Sequence, residues 1–202
     1  MAYKIIIDPG HGGSDSGATY NGRQEKDDAL RMAMAVGDLL KNAGFDVVYT
    51  RTTDVYNTPF EKATIGNEAG GDLFVSFHRN SSPTPNTYGG VQALVYNDSG
   101  FKGTLARNIN ENLVALGFED KGVVERPNLV VLKRTKMPAV LLELGFINSD
   151  KDNQLFDEKF NEIAQAIADG IIDTLNSNGI TASQMSRYTV QVGAFRNPLL
   201  AN

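Results

Sequence analysis

The residues best suited to catalysis in this chain are two histidines and a small number of carboxylates. His11 and His78 are the only histidines among 202 residues, and there is no cysteine. Each histidine comes shortly after an apolar run, residues 3–7 and 73–77, of the kind typical of buried strands. The absence of cysteine excludes a disulfide framework, a thiolate zinc site and a cysteine nucleophile. Metal or acid–base chemistry must therefore use imidazole and carboxylate groups.

Two glutamates stand out by their surroundings. Glu143 lies inside the apolar run 140–146, where a carboxylate is costly to bury without a partner. A salt bridge or a position on an edge strand would also explain it. Glu25 lies in the charged stretch 23–28, where a solvated first helical turn is the simpler interpretation. The histidines have a simple alternative too, because loop and capping histidines are common and the segment around His11 is rich in turn residues.

The combination favours a more specific hypothesis. Two neutral imidazoles and one carboxylate, with a fourth position open to water, form the ligand set of a catalytic zinc hydrolase. Such a site also requires a carboxylate that is not bound to the metal and that moves protons. His11, Glu25 and His78 as ligands, with Glu143 as the base, satisfy this scheme.

Short apolar runs alternate with longer amphipathic segments along the chain. The pattern predicts strands at residues 3–7, 47–50, 73–77, 91–96, 129–132 and 139–144, and helices at residues 28–42, 60–69, 102–116 and 158–176. This order predicts an α/β fold, a single three-layer domain whose twisted, mostly parallel sheet of about six strands is flanked by helices. Ligands of such sheets bind beyond the carboxyl ends of the strands. We therefore expect His11, His78 and Glu143 to face one crevice.

Composition restricts the possible partners. Hydrophobic residues make up 41% of the chain and charged residues 21%, as in a packed globular domain. Nineteen basic and 24 acidic residues give a net charge of −5, which disfavours a nucleic acid partner. No apolar stretch approaches the roughly 18 residues of a membrane span, and the N-terminal residues do not resemble a signal peptide. We expect a monomer without membrane insertion that is made in the cytoplasm; if its substrate lies outside the cytoplasm, it must act after release by lysis or a holin.

Several motifs occur in an order that matches a known family. They are residues 8–13 with Asp15, 17–18, 25–26, 50–51 with Asp54, 72–78 with Asn80, and 138–146. Together they resemble the zinc-dependent N-acetylmuramoyl-L-alanine amidases of the amidase-3 family, which occur in bacterial autolysins and phage endolysins. The resemblance covers roughly residues 3 to 177.

The resemblance implies one Zn²⁺ per chain, held by His11, Glu25 and His78, with Glu143 as the essential catalytic carboxylate. It implies peptidoglycan as the substrate, cut between the lactyl group of N-acetylmuramic acid and the L-alanine of the stem peptide. Asp15 could compete with Glu25 as a ligand, but the family pattern favours Glu25. Asp8 and Asn80 are candidates for an outer shell that orients the histidines, or for substrate contacts.

The chain also departs from the family pattern. Family members commonly carry an arginine and an Ala-Asn pair before the motif at residues 72–78. This chain has Glu61-Lys62 and Gly66-Asn67 there instead. Family members tend to have a small residue after the second histidine, where this chain has Arg79. These differences leave the details of the substrate groove open.

The composition changes after the last predicted helix. We predict a catalytic domain at residues 1–177, a linker at 178–186 and, at 187–202, the start of a cell-wall-binding repeat. The last segment resembles the first strand of the sporulation-related peptidoglycan-binding repeat, and it is too short to bury a core. We expect a longer natural protein cut in its linker or first repeat; a short extension that docks on the catalytic domain is the alternative.

Two other functions are compatible with the same residues. A different zinc hydrolase, such as a deacetylase or peptidase, could use the same ligand set. A catalytically silent wall-binding module could also keep it, and in that case Glu143 would be dispensable.

Overall fold

The computed structural model describes residues 3–181. The strands are β1 (Lys4–Pro9), β2 (Thr19–Tyr20), β3 (Arg23–Gln24), β4 (Asp46–Tyr49), β5 (Leu73–Asn80), β6 (Val91–Val95), β7 (Asp120–Glu125) and β8 (Ala139–Phe146). The helices are α1 (Glu25–Asn42), α2 (Pro59–Glu68), α3 (Gly100–Ala115), α4 (Val130–Arg134), α5 (Asp150–Glu158) and α6 (Phe160–Ser177). The predicted linker lies partly, and the predicted repeat start wholly, outside the described residues.

A six-stranded sheet organises these elements in the order β4-β1-β5-β8-β6-β7. The strands from β4 to β8 in this order are parallel, β6 is antiparallel to β8, and β7 is parallel to β6. The strands β2 and β3 form a separate small hairpin. The predicted fold class, a mostly parallel sheet flanked by helices, is confirmed.

Both faces of the sheet are covered, which explains the continuous apolar runs of the central strands. In β1, Ile5 and Ile7 pack with helices α1, α3 and α6 on one face, while Ile6 packs with Phe74 and α4 on the other. Successive side chains of a strand point to opposite faces, so each face takes alternate residues of the run. Three layers result, as the sequence predicts.

None of the described helices combines the length and the apolar composition that a bilayer crossing requires.

The register of the central strands determines where the site forms. Asp8 and Pro9 at the end of β1 pair with Ser76 and Phe77 of β5. One residue further along β5, His78 pairs with Glu143 of β8. The carboxyl ends of β1, β5 and β8 therefore lie side by side, and the side chains that leave these ends are close together.

One predicted strand is wrong. Residues 129–132 contribute to α4, and Val131 and Leu132 pack on the sheet through a helical turn. A four-residue apolar run carries too little periodicity to distinguish a strand from a buried helical turn. The sixth strand is instead β7, whose residues are mostly half-buried or exposed and lack an apolar pattern. The helix α5 has no counterpart among the predicted elements, and α1 begins at Glu25, earlier than predicted.

Gly170 allows α6 to pack closely on α3. A Cβ atom at this position would lie 2.9 Å from Ile109 Cγ1 and 3.1 Å from Ile109 Cα. Alanine is favoured over glycine in helices by about 1 kcal/mol, but overpacking against a backbone typically costs about 1–3 kcal/mol. We expect Gly170→Ala to lower the free energy of unfolding in urea by about 1 kcal/mol, net of these two effects. The exposed neighbour Asp169 provides the control, since Asp169→Ala should change little; a more stable G170A would contradict this close packing.

Candidate metal centre

Three of the predicted site residues meet at the carboxyl ends of the strands. His11 follows β1, His78 lies near the end of β5, and Glu25 is the first residue of α1. One ligand atom from each lies within 4.8 Å of the others. Glu25 Oε1 is 3.0 Å from His11 Nε2 and 2.9 Å from His78 Nδ1. Two imidazoles therefore converge on the same carboxylate oxygen.

The orientation of His11 is set by its other ring nitrogen. Its backbone adopts a positive φ of 55°, which is uncommon for a residue other than glycine. His11 Nδ1 lies 2.9 Å from Asp15 Oδ2, and a proton on Nδ1 donated to this carboxylate leaves Nε2 facing Glu25. Asp15 thus orients an imidazole from the side opposite to the cluster. From the sequence, Asp15 was predicted only as a rival ligand; its spacing of four residues from His11 across a glycine-rich turn is the signal for this contact.

Glu25 is held rigidly. The residue is only 4% exposed, which overturns the alternative of a solvated first turn. Its Oε1 accepts a hydrogen bond of 3.0 Å from the Arg79 backbone N–H, and its Oε2 accepts one of 2.8 Å from the Ala18 backbone N–H. Both oxygens are therefore fixed by the main chain, so the carboxylate is oriented before any ion binds.

The electrostatics of the cluster show that it needs a positive charge. Burial raises the pKa of Glu25, but the hydrogen bonds and charges of His11 and His78 outweigh burial and lower it below its ordinary value. Burial lowers the pKa of His11, but Glu25 and Asp15 more than compensate and raise it to about 9. A carboxylate and two ring nitrogens therefore face one point that a proton or a metal ion must neutralise.

Two glycines make room for the three side chains. A Cβ atom on Gly10 would lie 2.5 Å from His78 Cε1, and one on Gly17 would lie 2.5 Å from Glu25 Oε2 and 2.7 Å from His11 Cδ2. Gly17 also has a φ of 63°, in the left-handed region. The backbone therefore approaches the donor groups more closely than any other residue type allows.

Glu143 lies beside the cluster without a partner of its own. Within residues 3–181 its Oε2 is buried and accepts no hydrogen bond, and the residue takes part in no ion pair. Burial raises the pKa of its carboxyl group, and the charge of Glu25 raises it further, against the lowering effect of the two imidazoles. The strand β8 lies between β5 and β6. Both simple explanations of this residue, a salt bridge and an edge strand, therefore fail.

The two candidate outer-shell residues bind groups other than the imidazoles, although Asp8 lines the same cavity as His11 and His78. Asp8 accepts hydrogen bonds from the Thr50 hydroxyl at 2.5 Å, the Ser76 hydroxyl at 2.6 Å and the Lys62 amine at 3.0 Å. Asn80 accepts one from the backbone N–H of Ser81. In the described part of the chain, neither side chain hydrogen-bonds to an imidazole. The Asp8 carboxylate instead ties β1 to β5, to α2 and to the end of β4.

Two buried cations hold the backbone that leads to His11. The Lys62 amine donates to the Pro9 carbonyl at 2.5 Å. The Arg51 guanidinium donates to the carbonyls of Pro9 at 3.2 Å and Gly10 at 2.7 Å. From the sequence, Lys62 was only a departure from the family pattern, and this role was not predicted.

A cavity of about 240 Å³ opens beside the cluster. His11, His78 and Asp15 are among its lining residues, with the polar side chains of Asp8 and Lys62. The apolar part of its wall is formed by Leu129, Val130, Val131 and Leu141. The segment wrongly predicted as a strand thus forms the wall of this cavity. A larger cleft of about 460 Å³ lies near the start of β8 and contains none of the cluster residues.

The role of Gly17 can be tested against Gly22, which also has a positive φ but no atom within 4 Å of an added Cβ. Both alanine substitutions introduce similar backbone strain, but only Gly17→Ala pushes Glu25 and His11 apart. We expect G17A to weaken zinc binding, measured by chelator competition, by roughly tenfold or more, while G22A stays close to the wild type. Equal zinc affinities in the two variants would contradict the close approach.

Comparisons with known proteins place the chain in a family. Residues 5–173 match the Amidase_3 family, described as N-acetylmuramoyl-L-alanine amidase. The chain is 37% identical over 199 residues to a sporulation-specific N-acetylmuramoyl-L-alanine amidase of Bacillus subtilis, which covers 96% of this chain and 75% of that protein. It is 34% identical over 183 residues to the endolysin of Bacillus phage SPP1, which covers 87% of this chain and 67% of the endolysin.

Solved structures give the same result. The crystal structure of an N-acetylmuramoyl-L-alanine amidase from Clostridium difficile 630 superimposes with a TM-score of 0.82 at 34% identity, covering 88% of this chain and 99% of that one. The catalytic domain of CwlV, an amidase from Bacillus (Paenibacillus) polymyxa var. colistinus, gives a TM-score of 0.79 at 34% identity, covering 86% of this chain and 98% of that one.

Proposed function

Since this chain belongs to the N-acetylmuramoyl-L-alanine amidase family of peptidoglycan hydrolases, we propose that it works with one Zn²⁺ held by His11, Glu25 and His78. The bond cleaved is the amide between the lactyl group of N-acetylmuramic acid and the L-alanine of the stem peptide. The observation that carries this proposal is the convergence of two imidazole nitrogens on one carboxylate oxygen, beside a partly buried glutamate whose Oε2 has no hydrogen-bond partner among the described residues.

The donor set fits zinc. Two nitrogen ligands and one oxygen ligand, with a side of the cluster open to a cavity, match the catalytic zinc pattern rather than the closed structural one. Imidazole nitrogens favour zinc over the hard cations magnesium and calcium, which prefer all-oxygen sites. A zinc ion bound there supplies Lewis acidity toward the scissile carbonyl and lowers the pKa of a coordinated water.

Glu143 moves the protons in this proposal. Its carboxylate accepts a proton from the attacking water and then delivers one to the departing nitrogen of L-alanine. The raised pKa of its carboxyl group supports both steps, because a carboxylate that binds its proton more tightly is a better base and can still act as an acid. Asp15 keeps the His11 imidazole in one orientation throughout.

Glu143→Gln tests this role. The amide is nearly isosteric, so we expect zinc content to stay at one ion per chain while kcat falls by roughly 10²- to 10⁴-fold. The measurement is digestion of purified peptidoglycan with zinc determined in the same samples. Wild-type activity in a zinc-loaded E143Q would contradict the mechanism, and a wild type that binds the cell wall without digesting it would indicate a silent binding module.

The products of the same digestion identify the bond. An amidase frees the amino group of stem-peptide L-alanine and creates no new reducing sugar ends. Acetate release, or new amino groups elsewhere in the peptide, would instead indicate a deacetylase or peptidase that uses the same ligands.

The cavity beside the cluster fits the two sides of the scissile bond. The lactyl group and L-alanine each carry a methyl group next to the amide, and the apolar wall offers Leu129, Val130 and Leu141 to such groups. Burying a methyl group in an apolar pocket contributes about 0.8 kcal/mol. We infer that this wall positions the scissile amide over the metal centre.

Val130 is the most suitable wall residue for a test, because it is 37% exposed and its substitution does not open the core. We expect Val130→Ser to raise KM for soluble muropeptides roughly three- to tenfold with a small change in kcat, since it removes apolar contacts made before and during reaction. Val55, which is 47% exposed and does not line the cavity, provides the control Val55→Ser. An unchanged KM in V130S would show that Val130 and the wall around it do not contact the substrate.

A further inference from the structure

Arg79, the residue directly after His78, is buried although it is charged. Only 2% of the residue is exposed. Its guanidinium carbon lies 4.3 Å from the centre of the Phe156 ring, and its Nη1 donates to Asp28 at 2.6 Å. The Asp28 side chain is almost fully buried as well. Burial of such a pair is costly unless the geometry is favourable and the remaining polar atoms are satisfied.

The guanidinium satisfies atoms on three different elements. Besides Asp28 on α1, it donates to Asn153 Oδ1 on α5 at 2.8 Å. It also lies 3.4 Å from the carbonyl oxygens of Gly145 and Phe146 on β8. One side chain on β5 therefore connects α1, β8 and α5. The first two of these elements carry Glu25 and Glu143.

The contacts to β8 coincide with a bulge. His78 pairs with Glu143, but Asn80 pairs with Phe146, so one residue of β5, Arg79, faces two residues of β8. The bulge follows directly after Glu143, and Gly145 within it has a φ of 80°. Bulges beside active sites interrupt the ladder and redirect side chains. In this segment, the carbonyl oxygens of Gly145 and Phe146 face the N–H donors of the Arg79 guanidinium.

The contact to α1 supports Glu25 from two positions. The Arg79 backbone N–H donates to Glu25 Oε1, and its side chain binds Asp28, which lies three residues later on the same helix. Residues at this spacing share one face of a helix. The first turn of α1 is therefore held against β5 both at the proposed ligand and one turn beyond it.

We propose that Arg79 is a positioning residue for the metal centre, and this inference rests on the proposed function. It fixes the relative placement of Glu25, His78 and Glu143 by linking the three elements that carry them. Arginine suits this task because its planar guanidinium presents five donors in a fixed geometry, whereas lysine offers a single point charge.

The experiment compares Arg79→Met and Arg79→Lys with the wild type in the full chain. Zinc affinity is measured by chelator competition, and the visible spectrum of the cobalt-substituted protein reports the geometry of the ligands. We expect R79M to weaken zinc binding by roughly 10- to 100-fold, as is typical when support for metal ligands is removed, and to alter the cobalt bands. R79K should restore part of the affinity, and it carries the test alone if R79M does not fold.

Arg31 provides a matched control. It also donates to Asp28, at 3.1 Å, but its side chain is 57% exposed. We expect Arg31→Met to leave zinc affinity and the cobalt spectrum unchanged. A lower melting temperature for the Arg79 variants, with wild-type zinc affinity and cobalt bands, would show a purely structural role and overturn the inference. Absence of zinc binding in the wild type would overturn the proposed function and this inference together.

Discussion

The Glu25 carboxylate is the group on which the rest of the site depends. Its Oε1 faces both imidazoles and accepts a hydrogen bond from the chain directly after His78, while its Oε2 is fixed by the loop that follows His11. A buried carboxylate is tolerated only where positive charge and donors surround it. The loop after β1, the end of β5 and the start of α1 must therefore be in place together. The same oxygen that organises the polypeptide is the one offered to a cation.

The order of the strands in the sheet places the other site residues beside Glu25. The strands β1, β5 and β8 are neighbours and parallel, so their carboxyl ends bring His11, His78 and Glu143 to one edge although these residues are far apart in sequence. The backbone around them is stiffened by buried cations: Lys62 and Arg51 hold the turn before His11. Their donors satisfy carbonyls that leave regular pairing at the strand ends, where buried backbone groups would otherwise lack partners.

The sequence alone predicts the residues that residue type and position relative to apolar runs make recognisable. His11, His78 and Glu143 follow or interrupt apolar runs, and Glu25 completes a familiar ligand set, so the central strands and the cluster could be predicted together. The interpretation failed where the pattern carries little information. Residues 129–132 are too short for periodicity, and the edge strand β7 has no apolar pattern because little of it is buried. The partnerships of Asp15 and Arg79 depend on side-chain directions that only the fold determines.

The short helix α4 has a consequence for how this protein can diversify. Leu129, Val130 and Val131 line the cavity but contribute no donor atom to the three-residue cluster, which lies on β5, α1 and the loop after β1. Under the proposed function, substrate contact and hydrolysis are carried by separate segments of one domain, so a substitution in the wall can change substrate contacts without moving a metal ligand.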